Sequence, residues 1–161
     1  MKRTSLALAL VATGLVASAS AFAASATHDL AVSATVTGNC RFNAASGTTL
    51  TLANSAGAID PSLATDATGT ANVLYRCTKG IAASVAAGNG LHFSGGTRRV
   101  SLDASNFMPC SLSMSGCTAT GTGHGAGQDL TCAVSGTITA ANHQNATAGA
   151  YSDTVVLSIT P

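Results

Sequence analysis

The feature that most constrains this chain is the period of its apolar residues after position 24. Short stretches that alternate apolar with small or polar residues recur between clusters of Gly, Ser, Thr, Asn and Asp, and helical periodicity is absent. Only 4% of the 161 residues are aromatic, so a core must come from small and β-branched side chains, which favour sheets. The pattern predicts one all-β domain of the sandwich type, with strands over residues 30–37, 48–52, 71–77, 82–86, 98–102, 110–114, 130–136 and 154–160.

The N-terminus predicts export. Lys2 and Arg3 precede an apolar run over residues 6–16, and residues 21–23 form an Ala-x-Ala cleavage pattern. The run is shorter than the roughly 18 to 20 apolar residues of a spanning helix, so residues 1–23 are expected to be a secretory signal peptide. Export exposes the five cysteines to an oxidising environment, in which at least one disulfide is expected.

Both ends of the mature chain are amphipathic when extended. Near the N-terminus one face is apolar and the other is small or polar, and the apolar face comprises Leu30, Val32, Ala34 and Val36. Near the C-terminus the corresponding face comprises Tyr151, Asp153, Val155, Leu157 and Ile159. The C-terminal face is expected to line a core.

The tyrosine that precedes this last strand resembles the tyrosine corner before the sixth strand of immunoglobulin-like sandwiches. No residues would then remain for a seventh strand, so the sandwich is expected to have an open edge and an uncovered strip of core. Because such an edge promotes aggregation, the N-terminal strand of a neighbouring molecule is expected to fill it by β-strand addition. The alternative is that residues 30–37 form an ordinary edge strand of their own domain.

Charge and residue patterns disfavour several functions. A formal net charge of +1 with scattered basic residues provides no surface for nucleic acid. No Ser lies in a G-x-S-x-G elbow, and the Gly-rich stretch 118–127 has no P-loop lysine and is read as a surface loop, so no enzyme is expected. No metal and no cofactor are expected either, because the cysteines form no Cys-x-x-Cys pair. The histidines are expected at the surface without acids that orient them, and they are His28, His92, His124 and His143.

Several stretches of the chain resemble a known family. They are ANVLYRCTKGIAASVAAGNG, TRRVSLD, GTGHGAGQDLTCAVSGTI and NATAGAYSDTVVLSIT, with RCTKG and AGAYSDTVVLSIT the more specific parts. The chain resembles the spore coat protein U domain family, which includes the pilins of archaic, Csu-type chaperone-usher pili. The resemblance implies an immunoglobulin-like β-sandwich that lacks its last strand and is completed by a donor strand from a neighbouring subunit.

The resemblance also implies that the chain has three parts: a signal peptide at 1–23, a donor strand extension at 24–37 and an incomplete pilin domain at 38–161. The implied donor residues are Leu30, Val32, Ala34 and Val36. The implied acceptor groove includes Val155, Leu157 and Ile159. The subunit would bind a periplasmic chaperone and then an outer-membrane usher. It would polymerise with copies of itself or related pilins into a secreted or cell-surface fimbria, for adhesion and biofilm formation.

The family's early disulfide corresponds to Cys40 with Cys77. Two pairings stay open for the other cysteines, and either leaves one thiol unpaired. Cys110 and Cys132 share strand parity with neighbouring apolar residues and could meet across the core, or Cys110 could pair locally with Cys117. The segment FMPCSLSMSGC, which holds the extra cysteines, replaces a tyrosine-rich stretch of many relatives.

A second hypothesis keeps the fold without polymerisation. The chain would then be a secreted coat or matrix protein, or a module that binds a surface or a saccharide through its loops. Such a protein should be a soluble monomer whose own N-terminal strand closes its own sheet.

Overall fold

A computed structural model describes residues 25–44 and 49–161 of the chain. The predicted signal peptide, residues 1–23, lies outside the described residues. The chain divides after Ala34 into an N-terminal unit and a body, Thr35–Pro161. In the N-terminal unit, residues 25–34 form neither helix nor strand, and all of them are exposed.

The described part of the body contains strands of three to eleven residues and one short helix. In chain order they are β1 (Cys40–Phe42), β2 (Ala67–Cys77), β3 (Ala82–Ala87), β4 (Arg98–Ser101), β5 (Phe107–Ser115), β6 (Thr118–Thr120), β7 (Leu130–Ile138), α1 (Ala140–His143) and β8 (Leu157–Thr160). Within the described ranges, no helix has the length and apolar character needed to cross a membrane.

The strands form two antiparallel sheets, one of five strands in the order β1-β2-β7-β5-β4 and one of three strands in the order β6-β3-β8. Residues of both sheets share one buried cluster, which contains Val73, Tyr75, Cys77, Ala83, Val85, Cys132 and Val134. The sheets therefore pack face to face as a sandwich. The predicted all-β fold class is confirmed.

Tyr151 makes the hydrogen bond that defines a tyrosine corner. Its hydroxyl donates to the carbonyl oxygen of Thr147, four residues upstream, at 3.0 Å. The next residue, Ser152, pairs with Ser101 at the end of β4 through two backbone hydrogen bonds of 2.9 Å. The approach to β8 in the second sheet is therefore tied to the edge of the first sheet.

Two predicted strands are wrong in the described residues. The segment 30–37 forms no strand, because an extended segment keeps that conformation only when neighbouring strands satisfy its backbone groups. Residues 49–52 are irregular, and only the adjacent Ala53 forms a bridge, with Thr68 of β2. Residue 48 lies outside the described part of the chain.

Other boundaries differ for local reasons. The predicted last strand begins at Leu157 rather than at residue 154, because Thr154 and Val156 accept backbone hydrogen bonds from the loop after β3 instead. The Gly-rich stretch 118–127 is a loop only in part, since it starts with β6. Strand β1 has three residues, too few for an alternating pattern to be visible.

Candidate functional site: an apolar groove

The body contains a groove of about 960 Å³ between the first sheet and two irregular segments. We call this site the groove and divide it into a floor, a first wall and a second wall. The floor includes Val73, Val100, Met108, Leu112, Val134 and Ile138. The first wall includes Leu50, Leu52 and Ile59, and the second wall includes Tyr151, Asp153, Val155 and Leu157.

The floor is the inner face of the five-stranded sheet. Val73 on β2 and Val134 on β7 lie two residues apart in the ladder, and Leu112 on β5 lies opposite Gly136 on β7. Because side chains alternate across a strand, every second residue of these strands points to the same face. Neighbouring strands therefore present a continuous apolar surface to the groove.

The first wall packs against a part of the five-stranded sheet where two paired glycines leave no side chains. Gly69 of β2 and Gly136 of β7 are direct partners in the ladder, and the leucines of residues 49–52 lie over them. The hydrogen bonds between Ala53 and Thr68, at 3.0 and 3.1 Å, fix the end of this segment. Sequence reasoning assigned no role to Leu50 and Leu52, although their alternation with threonine was visible.

The second wall is the C-terminal segment, and its side chains alternate as the sequence predicts. The half-buried residues are Tyr151, Asp153, Val155, Leu157 and Ile159, and the residues between them are exposed. Of the implied acceptor residues, Val155 and Leu157 line the groove, whereas Ile159 packs against the main core cluster. Strand β8 pairs with β3, and its other edge has no strand partner within the described residues.

The implied donor residues are apolar side chains displayed to solvent. Leu30, Val32 and Val36 are 83%, 87% and 81% exposed, and Ala34 is also exposed. Soluble proteins bury most side chains of this type, because each large aliphatic group stabilises a fold by about 1.5–3 kcal/mol when it leaves water. These residues form an apolar segment without cover.

The start of β1 fixes the point at which residues 35–39 join the sandwich. Thr78 exchanges hydrogen bonds with Asn39: its amide donates to the Asn39 carbonyl at 2.9 Å, and its hydroxyl oxygen accepts from the Asn39 amide at 3.0 Å. The next residue, Cys40, forms a disulfide with Cys77, with a Cα–Cα distance of 4.1 Å. This is the disulfide that the family resemblance implies.

The second disulfide differs from the expected pairing. Cys117 bonds to Cys132, and Cys110 is free, so both the Cys110 to Cys132 and the Cys110 to Cys117 pairings are wrong. The β5–β7 register explains why Cys110 does not pair with Cys132: Ser111 lies opposite Thr137 while Ser115 lies opposite Ala133. Cys110 and Cys132 are therefore at opposite ends of the ladder, separated by about six residues or roughly 20 Å, far beyond the roughly 7 Å limit for a disulfide.

Cys110 instead lines the groove, opposite Arg98 in the β4–β5 ladder. Burial raises the pKa of its thiol, and the negative charge of Asp153 raises it further. The thiol is therefore held in its protonated, less reactive form. No clear sequence signal distinguished Cys110 from the two cysteines that pair.

Two histidines differ from the expectation, His143 in its burial and His92 in having an acidic partner. His143 on α1 is buried, and its Nε2 lies 3.0 Å from the carbonyl oxygen of Thr65. His92 has an acidic partner after all, since its Nδ1 lies 2.9 Å from Oδ1 of Asp153. Asp153 also accepts backbone hydrogen bonds from Leu91 and His92, so the loop after β3 is bound to the second wall.

A separate ion pair braces the sandwich near β1. Arg76 on β2 forms two hydrogen bonds with the carboxylate of Asp129, at 2.7 and 2.8 Å, and Asn43 donates a third at 2.9 Å. These bonds, with those from Arg76 contributing most, lower the pKa of Asp129 to about 2. The carboxylate therefore stays ionised well below neutral pH.

The fold and the groove define the class of protein: a disulfide-linked β-sandwich whose apolar core is open along one side. Within the described ranges, no group of three or more His, Cys, Asp or Glu side chains could hold a metal ion. The chain matches the Spore Coat Protein U domain over residues 26–158 and belongs to that family. It is a structural, non-enzymatic protein.

Comparison with known proteins adds a likeness in structure. No curated protein matches the chain. Among solved structures, it is similar to a chain in the crystal structure of the CsuC–CsuE chaperone-tip adhesion subunit pre-assembly complex, from the archaic chaperone-usher Csu pili of Acinetobacter baumannii. The two are 18% identical with a TM-score of 0.47, and the match covers 78% of this chain and 40% of that one.

Proposed function

We propose that this protein is a structural subunit of a chaperone-usher pilus and that it polymerises by donor-strand complementation. The observation that carries the proposal is the open groove, with its apolar floor and the free edge of β8 beside it. A strand inserted there would satisfy the backbone groups of β8 and cover the exposed core at the same time.

The N-terminal segment has the chemistry of such a strand. Leu30, Val32 and Val36 are spaced two residues apart or a multiple of two, so all three would point into the groove from one extended strand. Nearly all of their surface is exposed, so burial on assembly would contribute about 1.5–3 kcal/mol for each. Residues 24–37 of one subunit therefore supply the donor strand for the groove of the next.

The role of the other partners follows from the same chemistry. A subunit with an open groove would aggregate in the periplasm, so a periplasmic chaperone covers the groove until an outer-membrane usher brings in the next donor strand. The resulting fibre is displayed at the cell surface and serves adhesion and biofilm formation. These steps place the protein outside the cytoplasm after export.

Gel electrophoresis tests the proposal directly. The exported protein, produced with its chaperone and usher, is run in SDS and reductant with and without boiling. A regular ladder that collapses to monomer on boiling is expected, because the linkage is non-covalent but kinetically stable. A variant without residues 24–37 should give no ladder while still binding the chaperone. A single monomer band for the intact protein would instead favour a self-closed coat or matrix protein.

A further inference from the structure

A second concave site lies on the surface beside the tip of the β4–β5 hairpin. It has a volume of about 340 Å³, which falls in the range of small-molecule sites, and we call it the His92 pocket. Its lining is His92, Ser101, Leu102, Asp103, Ala104, Phe107 and Ser152. The proposed function does not use this pocket.

Hydrogen bonds to neighbouring residues hold the polar side chains of the pocket in place. His92 Nδ1 must donate to Asp153, because a carboxylate only accepts, and Nε2 is then the ring nitrogen left for another partner. The Asp153 side chain is 7% exposed, so this support is buried. The imidazole orientation is therefore fixed before any ligand arrives.

Asp103 is oriented in the same manner by the hairpin turn. Its Oδ1 accepts the backbone amides of Ser105 and Asn106, both at 2.8 Å, and its Oδ2 accepts the Asn106 side chain at 2.8 Å. These hydrogen bonds lower the pKa of Asp103, the bond from Ser105 contributing most. The carboxylate stays ionised, and Oδ2, which has a single partner, can accept a further hydrogen bond.

The aromatic ring of Phe107 supplies the apolar surface of the pocket. The guanidinium carbon of Arg99 lies 4.2 Å from the ring centroid, and Arg99 Nε donates to the backbone carbonyl of His92 at 2.9 Å. The His92 ring lies 6.0 Å from the Phe107 ring, at a tilt of 53°. Arg99 thus links the Phe107 ring to the backbone of His92, and its positive charge lies over one face of the aromatic ring.

We propose that the His92 pocket binds a neutral pyranose sugar. Asp103 Oδ2 accepts a hydrogen bond and His92 Nε2 offers a second polar contact, so the pocket suits a ligand with several hydroxyl groups, and the aromatic ring suits one with an apolar C–H face. A pyranose offers both. An ammonium ligand is disfavoured because Arg99 already occupies the Phe107 ring with positive charge, and an anion is disfavoured by the carboxylate of Asp103.

Saturation-transfer difference NMR on the exported protein tests this inference, because the method observes the sugar and works for monomer and polymer alike. The probes are methyl α-D-glucopyranoside and methyl β-D-galactopyranoside, with tetramethylammonium chloride as the cationic alternative. We expect saturation transfer to at least one glycoside, strongest at its ring C–H protons. No transfer to either glycoside, or displacement of the bound glycoside by tetramethylammonium, would overturn the proposal.

Variants assign the signal to the pocket. His92→Gln and Asp103→Asn should each weaken glycoside binding by about five- to tenfold, since the first removes the imidazole that Asp153 orients and the second neutralises the Asp103 carboxylate. Asp60→Asn is the matched control, because Asp60 is also an aspartate that accepts a backbone amide in a turn, that of Ser62, but lies outside the pocket. Undiminished binding in both pocket variants would refute the assignment even if the sugar bound. Thermal unfolding confirms that each variant is folded.

Discussion

Gly69 and Gly136 lie directly opposite each other on β2 and β7, and the segment that forms the first wall of the groove crosses over this pair. A Cβ atom on Gly69 would collide with the backbone carbonyl oxygen of Thr51. A Cβ atom on Gly136 would lie 2.8 Å from a methyl group of Leu52 and 2.9 Å from one of Leu50. The glycine pair therefore lets the wall approach the sheet.

The two glycines should respond differently to alanine. Gly69→Ala should lower the free energy of unfolding by about 1–3 kcal/mol, because backbone at Thr51 has to move. Gly136→Ala should have a smaller effect, because flexible leucine side chains can rotate away. Urea unfolding of the monomeric protein measures both. Equal losses for the two variants would show that the backbone contact at Gly69 is not the constraint.

The two disulfides should stabilise the fold unequally. The Cys40–Cys77 bond spans 37 residues and the Cys117–Cys132 bond spans 15. Loop entropy then predicts losses of about 4 and about 3 kcal/mol when each pair is replaced by serine. Urea unfolding of the two double variants checks this order. Peptide mapping of the unreduced, alkylated protein should find the label on Cys110 alone, and a labelled Cys117 would contradict the pairing.

The stability of the fold should depend on pH through Asp129. Its folded-state pKa of about 2 lies below the ordinary value for aspartate, so its ionised form stabilises the fold at pH above about 4. That contribution disappears as the pH falls from about 4 towards 2. Asp129→Asn should therefore be less stable than the parent at pH 6, and the difference should shrink near pH 2. A difference in melting temperature that stays constant over this range would refute the linkage.

Local pattern was sufficient to predict much of the fold. The alternating residues 71–77 and 130–136 lie in β2 and β7. Each of these strands buries one face, so apolar residues occur at every second position. The alternation at residues 151–159 likewise corresponds to the burial of every second residue there. The strand predicted at residues 30–37 is wrong for the described structure, because alternation shows only that an extended segment would be amphipathic. It does not show that a neighbouring strand is present to pair with it.

Contacts between distant residues could not be predicted in this way. The partner of His92 is Asp153, 61 residues further along the chain, and no pattern near either residue links them. His143 lies on a helix of four residues, too short for a period to indicate its buried face. The choice of Cys117 over Cys110 depends on the β5–β7 register, which is set by the packing of whole strands.

The proposed donor strand, residues 24–37, offers a matched pair of charge substitutions. Val32→Asp would place an unpaired carboxylate in the apolar groove, at a cost of several kcal/mol, so the polymer should be lost. Ser33→Asp puts the same charge on the opposite face of the strand and should be tolerated. The unboiled SDS ladder is the measurement for both. If the two variants polymerise equally, alternation along the strand is not what the groove recognises.

The reactivity of the Cys110 thiol should show whether a donor strand fills the groove. The thiol lines the groove, so a donor strand lying over it should restrict access by a maleimide reagent. In the polymer, Cys110 should react about tenfold more slowly, or slower still, than in a chaperone-free subunit without residues 24–37, because a covered thiol reacts only through local opening. A cysteine at the exposed position 94, in a Cys110→Ser background, serves as the control and should react equally in both forms. Equal rates for Cys110 in polymer and truncated subunit would mean that assembly leaves the groove open, and the donor strand would then have to bind elsewhere.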